Sequence, residues 1–108
     1  NSGMYLLGTE TQMLDSFGLS GQSNECGGLY KWKRPDENMC YPPLRWQTYD
    51  VEFQAAANGN PPVMSVKHNG VTIHDKVKLR KNSTQGGIHL QNHSNPVRYR
   101  NIWILEKS

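Results

Sequence analysis

The chain has 108 residues, a formal net charge of +3, 35% hydrophobic residues and 19% charged residues. This length fits one domain, residues 1–108, and the mean hydropathy of −0.76 predicts a core that is thin or shared. The lysines and arginines are spread along the chain, which argues against a nucleic-acid partner. No stretch approaches the roughly 20 apolar residues that a membrane span needs.

The opening segment, MYLLGTETQMLD, alternates side chains in the way that a strand does. Thr9, Thr11 and Met13 share one face of this predicted strand. Glu10 and Gln12 share the opposite face, which is therefore polar. The segment predicts a strand with one face available for contacts to solvent or to a ligand.

The next stretch, residues 16–44, is rich in Gly, Pro and Asn and predicts a long loop, which is usually functional at this length. It contains Cys26 and Cys40. A disulfide between them would close a loop of about 15 residues and contribute roughly 3 kcal/mol. It would also favour a periplasmic or extracellular location. Two free buried thiols are the alternative, and no histidine stands at metal-ligand spacing from either cysteine.

Two further elements follow the loop. In WQTYDVEFQA, the side chains of Tyr49, Val51 and Phe53 point to one side and are expected to face the core. Asn69-Gly70 lies between two alternating runs, and this pair is the signal of a type I′ hairpin because both turn residues need a positive φ.

The remaining positions of this region predict a polar surface. His68 and His74 are expected on the outside of the hairpin. The stretch KVKLRK, residues 76–81, alternates apolar and basic side chains and predicts a strand with a solvated basic face.

The last segment, GGIHLQNHSNPVRYRNIWIL, again alternates. Ile88 and Leu90 are expected to face a core. His89, Gln91 and His93 would then line the opposite face of the same strand. That face is either a solvated surface, as is common in antiparallel sheets, or a site.

About six short strands and no sustained helical periodicity predict an all-β fold. Turn signals every 8–12 residues are typical of an antiparallel sandwich or barrel.

Five motifs together resemble one family. NSGMYLLGTETQMLDSFG, CGGLY, RWQTYDVEFQA, VKHNGVTIHD and GGIHLQNHSNPVRYRNIWI occur in the same order in the 3-keto-disaccharide hydrolase family. The resemblance runs from Asn1 to about Leu105 and implies a concanavalin A-like jelly-roll, an antiparallel β-sandwich with one concave sheet. Family domains carry further strands before the NSG motif, so the chain resembles a partial domain, the C-terminal part.

The resemblance implies action on carbohydrates oxidised at C3. A C3 ketone acidifies the C2 proton, so a base can remove it, the glycosidic oxygen leaves C1 by elimination, and water then adds to the ring. This chemistry needs a base, an acid, and a cation or divalent metal ion for the enolate oxygen. The alternatives are a lectin-like carbohydrate-binding module without turnover, and a truncated relic that acts as an assembly protein.

The family motifs imply two groups of site residues. Catalytic roles are implied for Glu10, Asp15, His93 and Arg100, and sugar contacts for Gln12, Tyr30 and Gln91. Asp15 and His93 are also candidate ligands of a divalent ion. For each there is a plainer interpretation: solvated strand polarity, a turn cap at Asp15, or ion pairing of Arg100.

Other residues are weaker candidates. Trp32 and Trp46 offer flat faces for sugar stacking, although Trp46 is equally suited to a core. His89 and Arg98 share strand faces with the candidates without matching the family as closely.

We also expect a homodimer. Part of a sandwich would leave one face uncovered at six apolar side chains, namely Tyr49, Val51, Phe53, Ile88, Leu90 and Val97. Their burial is worth roughly 10 kcal/mol, about the stability of a whole domain, so a second copy is expected to cover them. The alternative is a smaller closed barrel.

Overall fold

The fold consists of two three-stranded antiparallel sheets, seen in a computed structural model that describes residues 1–6, 9–80, 87–91, 93–94 and 96–105. The first sheet has the order β2-β1-β6 and the second sheet β3-β4-β5. The strands are β1 (Ser2–Leu6), β2 (Thr9–Met13), β3 (Tyr49–Gln54), β4 (Val63–His68), β5 (Val71–Lys78) and β6 (Ile88–Leu90). These described residues contain no helix, so the all-β prediction is confirmed.

The opening segment forms two strands, because β1 and β2 pair from Ser2↔Met13 to Leu6↔Thr9. This register places Tyr5 directly opposite Glu10. In the second sheet the predicted hairpin is confirmed: φ is 52° at Asn69 and 84° at Gly70, the left-handed conformations of a type I′ turn.

Within the described residues 76–80 the predicted basic strand is not separate, because β5 runs from Val71 to Lys78. Lys81 lies outside the described residues. Lys76 has a φ of 48° and its amide donates to the Ser65 hydroxyl oxygen at 2.8 Å. The pairing with β4 is irregular along this strand. The alternating residues 76–78 therefore form the end of β5, a strand with an irregular pairing register.

The core lies on the face of the second sheet that the long loop, residues 14–48, covers. Its buried members are Leu29, Met64, Val66, Ile73 and Leu79, and Tyr49, Val51 and Phe53 pack against them. The three β3 side chains are thus partly covered within one chain. The loop supplies part of that cover, as the complete burial of its Leu29 side chain in the core shows.

Backbone hydrogen bonds attach the long loop to both sheets. On the second sheet, the Asp36 amide donates to the Ile73 carbonyl at 2.8 Å. On the first, the Gly27 amide donates to the Gln12 carbonyl at 2.8 Å and the Gln12 amide to the Gly28 carbonyl at 2.9 Å. The loop therefore acts as an irregular extra strand that joins the two sheets.

Two sequence expectations fail at the sheet surfaces. His68 and His74 are completely buried, because the loop covers the hairpin face on which they were expected to be exposed. Ile88 is 51% and Val97 40% exposed in the single chain. β6 also ends at Leu90, before the predicted site strand does.

Among the described residues, no helix is long and apolar enough to cross a bilayer.

Replacing Leu29 with alanine should lower the free energy of unfolding by about 2–5 kcal/mol. Leu29 is the residue that the loop contributes to the buried cluster, so its truncation would leave a cavity there. Urea unfolding followed by tryptophan fluorescence measures this change. Leu44→Ala is the matched control, since Leu44 is fully exposed in the same loop. Equal unfolding midpoints for the two variants would contradict the assigned role of Leu29.

Candidate functional site

An open pocket of about 260 Å³ lies where β2, the long loop and the end of β5 meet. Its lining residues are Tyr5, Thr9, Glu10, Tyr30, Lys31, Trp32, Leu79 and Arg80. Two of the residues predicted from the sequence, Glu10 and Tyr30, are therefore brought together.

One wall of the pocket carries a carboxylate and a phenol. Tyr5 stands directly opposite Glu10 in the β1–β2 ladder, and both residues line the pocket. The Glu10 side chain lies over Gly3, where a Cβ would collide with it. Burial, followed by the Glu10 contact, raises the pKa of Tyr5, so its hydroxyl stays a proton donor at neutral pH.

The other wall is the tip of a small hairpin. Leu29 and Lys33 exchange backbone hydrogen bonds at 2.9 and 3.0 Å, and Lys31 between them has a φ of 57°. This tight turn exposes the rings of Tyr30 and Trp32, which are 40% and 43% accessible.

Hydrogen bonds and a cation hold the Trp32 ring in place. Its indole N–H donates to the Lys78 carbonyl at 2.9 Å. The Arg80 guanidinium lies 4.6 Å above the ring centroid and donates to the Lys31 carbonyl at 3.1 Å. The pocket thus combines two exposed aromatic rings, one carboxylate and the two cationic side chains of Lys31 and Arg80.

Two predicted residues of the same strand region lie outside this pocket. Gln12 is only 8% exposed, and its backbone pairs with the long loop. Asp15 lies in the turn after β2 and its carboxylate accepts the Phe17 amide at 3.5 Å, which agrees with the turn-cap interpretation.

The C-terminal candidates are also separate from the pocket lining. Gln91 extends the β6 pairing, since its amide donates to the Gly3 carbonyl at 2.8 Å, and His93 is exposed beyond the strand. The Arg100 guanidinium lies 3.9 Å from the Trp46 ring centroid, which gives this arginine a partner other than an acid.

Tyr5 and Arg80 are pocket residues that sequence analysis missed. Tyr5 could have been found from the sequence by treating the opening segment as a hairpin instead of one strand, since the β1–β2 pairing places it opposite Glu10. His89 contacts the Tyr5 ring edge to face at 5.5 Å between centroids, so it is the histidine linked to the pocket by a described contact.

No three His, Cys, Asp or Glu side chains gather into a potential metal site within the described ranges. The predicted ion at Asp15 or His93 therefore has no ligand set among these residues, and no chemical step is assigned to a metal.

A polar cluster joins the long loop to the second sheet. Its members are Cys26, Cys40, Gln47, Tyr49 and His68. The Cys26 Sγ lies 3.0 Å from the Tyr49 hydroxyl, and the Tyr49 and His68 rings stack at 4.3 Å. The His68 Nε2 bonds to the Gln47 Oε1 at 2.9 Å. Both cysteines are free thiols in this structure.

Burial makes protein stability dependent on pH through the two histidines. It lowers the pKa of His68 from 6.5 to about 4 and also lowers the pKa of His74. The unfolded chain binds the proton first as the pH falls below 6.5, so this stability is complete above 6.5 and is lost toward 4. For His68 alone we expect a loss of about 2 kcal/mol between about pH 7.5 and 5.

Chemical denaturation at a series of pH values measures this loss. The dependence of the free energy of unfolding on pH should weaken in His68→Gln. It should persist in His93→Gln, because this variant changes an exposed histidine. A free energy of unfolding that stays constant over this range would contradict the assignment.

Comparison with known proteins places this geometry in a family. The model of the 3-keto-alpha-glucoside-1,2-lyase-like domain matches residues 1–105. A crystal structure from Parabacteroides distasonis ATCC 8503, described as a "putative glycosyl hydrolase", is similar at 27% identity and a TM-score of 0.71. The similarity covers 89% of this chain and 49% of that one, so the chain spans about half the length of its structural relative. No curated protein matches the chain. The chain belongs to the 3-keto-alpha-glucoside-1,2-lyase-like domain family.

Proposed function

We propose that the chain binds a carbohydrate in the pocket at Glu10 and acts on glycosides oxidised at C3. One observation carries this proposal: the Glu10–Tyr5 pair lies in the same pocket as two exposed aromatic rings, those of Tyr30 and Trp32. Rigid aromatic faces suit the apolar faces of a sugar ring, and a few fixed polar groups set its orientation. The pocket volume suits one sugar ring better than a longer chain.

In the proposed reaction, the Glu10 carboxylate removes the proton at C2, and the electron pair of that bond forms an enolate with the C3 carbonyl. Tyr5 orients the carboxylate, and the Arg80 guanidinium stabilises the enolate oxygen. When the C3 carbonyl re-forms, a C1–C2 double bond forms and the glycosidic oxygen leaves with a proton. Water then adds to the unsaturated ring.

The alternative is a carbohydrate-binding module without turnover. It is favoured by one observation, that Glu10 is the single carboxylate among the described pocket residues. Elimination needs an acid as well as a base, so Tyr5 or the water itself has to protonate the leaving oxygen. Product formation therefore separates the two functions.

The test is incubation of the full chain with a 3-keto-glucoside that carries a chromogenic aglycone, with the unoxidised glucoside as the matched control. We expect aglycone release from the keto sugar alone, since only its C2 proton is acidic. Saturable binding of the keto sugar without release would support the module. Release from both sugars at equal rates would contradict elimination.

We also propose that the chain self-associates through the apolar segment 102–105. Its four side chains are 63–79% exposed: Ile102, Trp103, Ile104 and Leu105. Contiguous exposed apolar surface of this kind marks interaction sites, and a second copy offers the same segment about a two-fold axis. Light scattering at micromolar concentration should give about twice 12.3 kDa. A single species at the monomer mass, unchanged in Trp103→Ser, would contradict self-association.

A further inference from the structure

Both cysteine side chains belong to the polar cluster that joins the long loop to the second sheet. Cys26 is 4% and Cys40 7% exposed. The Cys40 Sγ lies 3.7 Å from the Leu14 carbonyl oxygen and 3.9 Å from the Gln47 Nε2, and the Cys26 Sγ lies 3.0 Å from the Tyr49 hydroxyl. Gln47 connects the two surroundings, because its Oε1 bonds to the His68 ring that stacks on Tyr49.

Polar contacts fix the backbone on both sides of this pair. The Cys26 amide donates to the Ser16 hydroxyl at 2.9 Å, and the Asn38 side-chain amide donates to the Ser16 carbonyl at 2.7 Å. The Cys40 amide donates to the Asn38 side-chain oxygen at 3.1 Å. Ser16 and Asn38 thus hold the two cysteine segments together.

The residues between the cysteines include one wall of the pocket. Range 27–39 contains Tyr30, Lys31 and Trp32. A covalent bond at its two ends would restrict how far this wall can open, whereas two thiols leave it attached only by noncovalent contacts.

We infer that Cys26 and Cys40 are a reversible dithiol–disulfide pair, and that oxidation by a disulfide such as oxidised glutathione closes a covalent loop around the pocket wall. In the first step the Cys40 thiolate attacks one glutathione sulfur, and a glutathione thiolate leaves. In the second, Cys26 gives its proton to solvent and its thiolate attacks the Cys40 sulfur, which expels the second glutathione. Two protein thiols are oxidised and one glutathione disulfide is reduced.

The electrostatic interaction of the two thiols supports this order of attack. The neighbouring Cys26 thiol lowers the pKa of Cys40, whereas the neighbouring Cys40 thiol, together with burial, raises the pKa of Cys26. Cys40 is also the more accessible of the two. The thiolate is the nucleophile in exchange, so Cys40 reacts first and Cys26 resolves the mixed disulfide.

The experiment equilibrates the full chain with mixtures of oxidised and reduced glutathione and measures the intact mass after acid quench. We expect the mass to fall by that of two hydrogen atoms. Digestion should then give one disulfide-linked pair of peptides, which contain Cys26 and Cys40. The melting temperature should rise by roughly 5 °C or more, because closing a loop of about 15 residues restricts the unfolded chain. Hydrogen exchange should slow at the amides of Tyr30, Trp32 and Lys33, which bond to Glu10 and Leu29.

Two serine variants are the controls. Cys40→Ser and Cys26→Ser should each lose the rise in melting temperature, and Cys26→Ser should accumulate a glutathione adduct at Cys40. Two titratable thiols in the wild type at every glutathione ratio, or a separate adduct on each cysteine, would overturn the pair. If the disulfide forms but hydrogen exchange at residues 30–33 does not slow, the inference that the disulfide restricts the pocket wall is wrong. None of these readouts depends on sugar binding, so they stand apart from the proposed function.

Discussion

Glu10→Gln should lower the rate of aglycone release from a 3-keto-glucoside by about 10²–10⁴-fold, the contribution typical of a general base. The substitution keeps the shape of the side chain over Gly3 and its position opposite Tyr5, while it removes the group that accepts the C2 proton. KM should change much less than kcat, because glutamine can still hydrogen-bond a sugar hydroxyl. Steady-state kinetics of aglycone release measure both constants.

His93→Ala is the informative comparison for this prediction, because the family resemblance implies a catalytic role for His93 and the structure leaves it exposed outside the pocket lining. We expect the His93 variant to keep most of the activity and an unchanged unfolding midpoint. Abolished release in His93→Ala together with normal release in Glu10→Gln would move the base from β2 to the C-terminal segment.

Gly28→Ala should destabilise the chain by about 3 kcal/mol or more, the upper range for overpacking. A Cβ at this position would lie 2.6 Å from the Ser23 carbonyl carbon and 2.8 Å from the Gln22 oxygen. Both are backbone atoms, so no side-chain rotation relieves the contact. The Gly28 carbonyl also accepts the Gln12 amide, and its displacement would detach the long loop from β2.

Gly87→Ala is the matched control, because a Cβ there meets no atom of the described residues within 4 Å. Urea unfolding should separate the two variants clearly, with the control close to the wild type. If both variants unfold at the wild-type midpoint, the close approach of residues 22–23 to Gly28 is wrong.

Local patterns in the sequence predicted several features of the fold. The Asn69-Gly70 hairpin followed from the positive φ that both turn residues adopt, and the strand at Tyr49, Val51 and Phe53 from simple alternation. These features depend on neighbouring residues alone, so they can be read without knowing what lies opposite.

Features that depend on distant contacts could not be read in this way. The burial of His68 and His74 depends on the irregular loop that covers them, and no periodicity indicates where such a loop packs. For the same reason the pocket was only half predicted: Glu10 and Tyr30 came from motifs, whereas Arg80 enters through its position over the Trp32 ring.

The central claim is that the pocket at Glu10 binds a sugar, and a nuclear magnetic resonance titration of the isotopically labelled chain with a 3-keto-glucoside tests it most directly. We predict saturable shifts of the backbone amides of Glu10, Tyr30 and Lys31 and of the Trp32 indole N–H, and their loss in Trp32→Ala. Saturable shifts confined to residues 96–101, or no shifts at millimolar sugar, would contradict the claim.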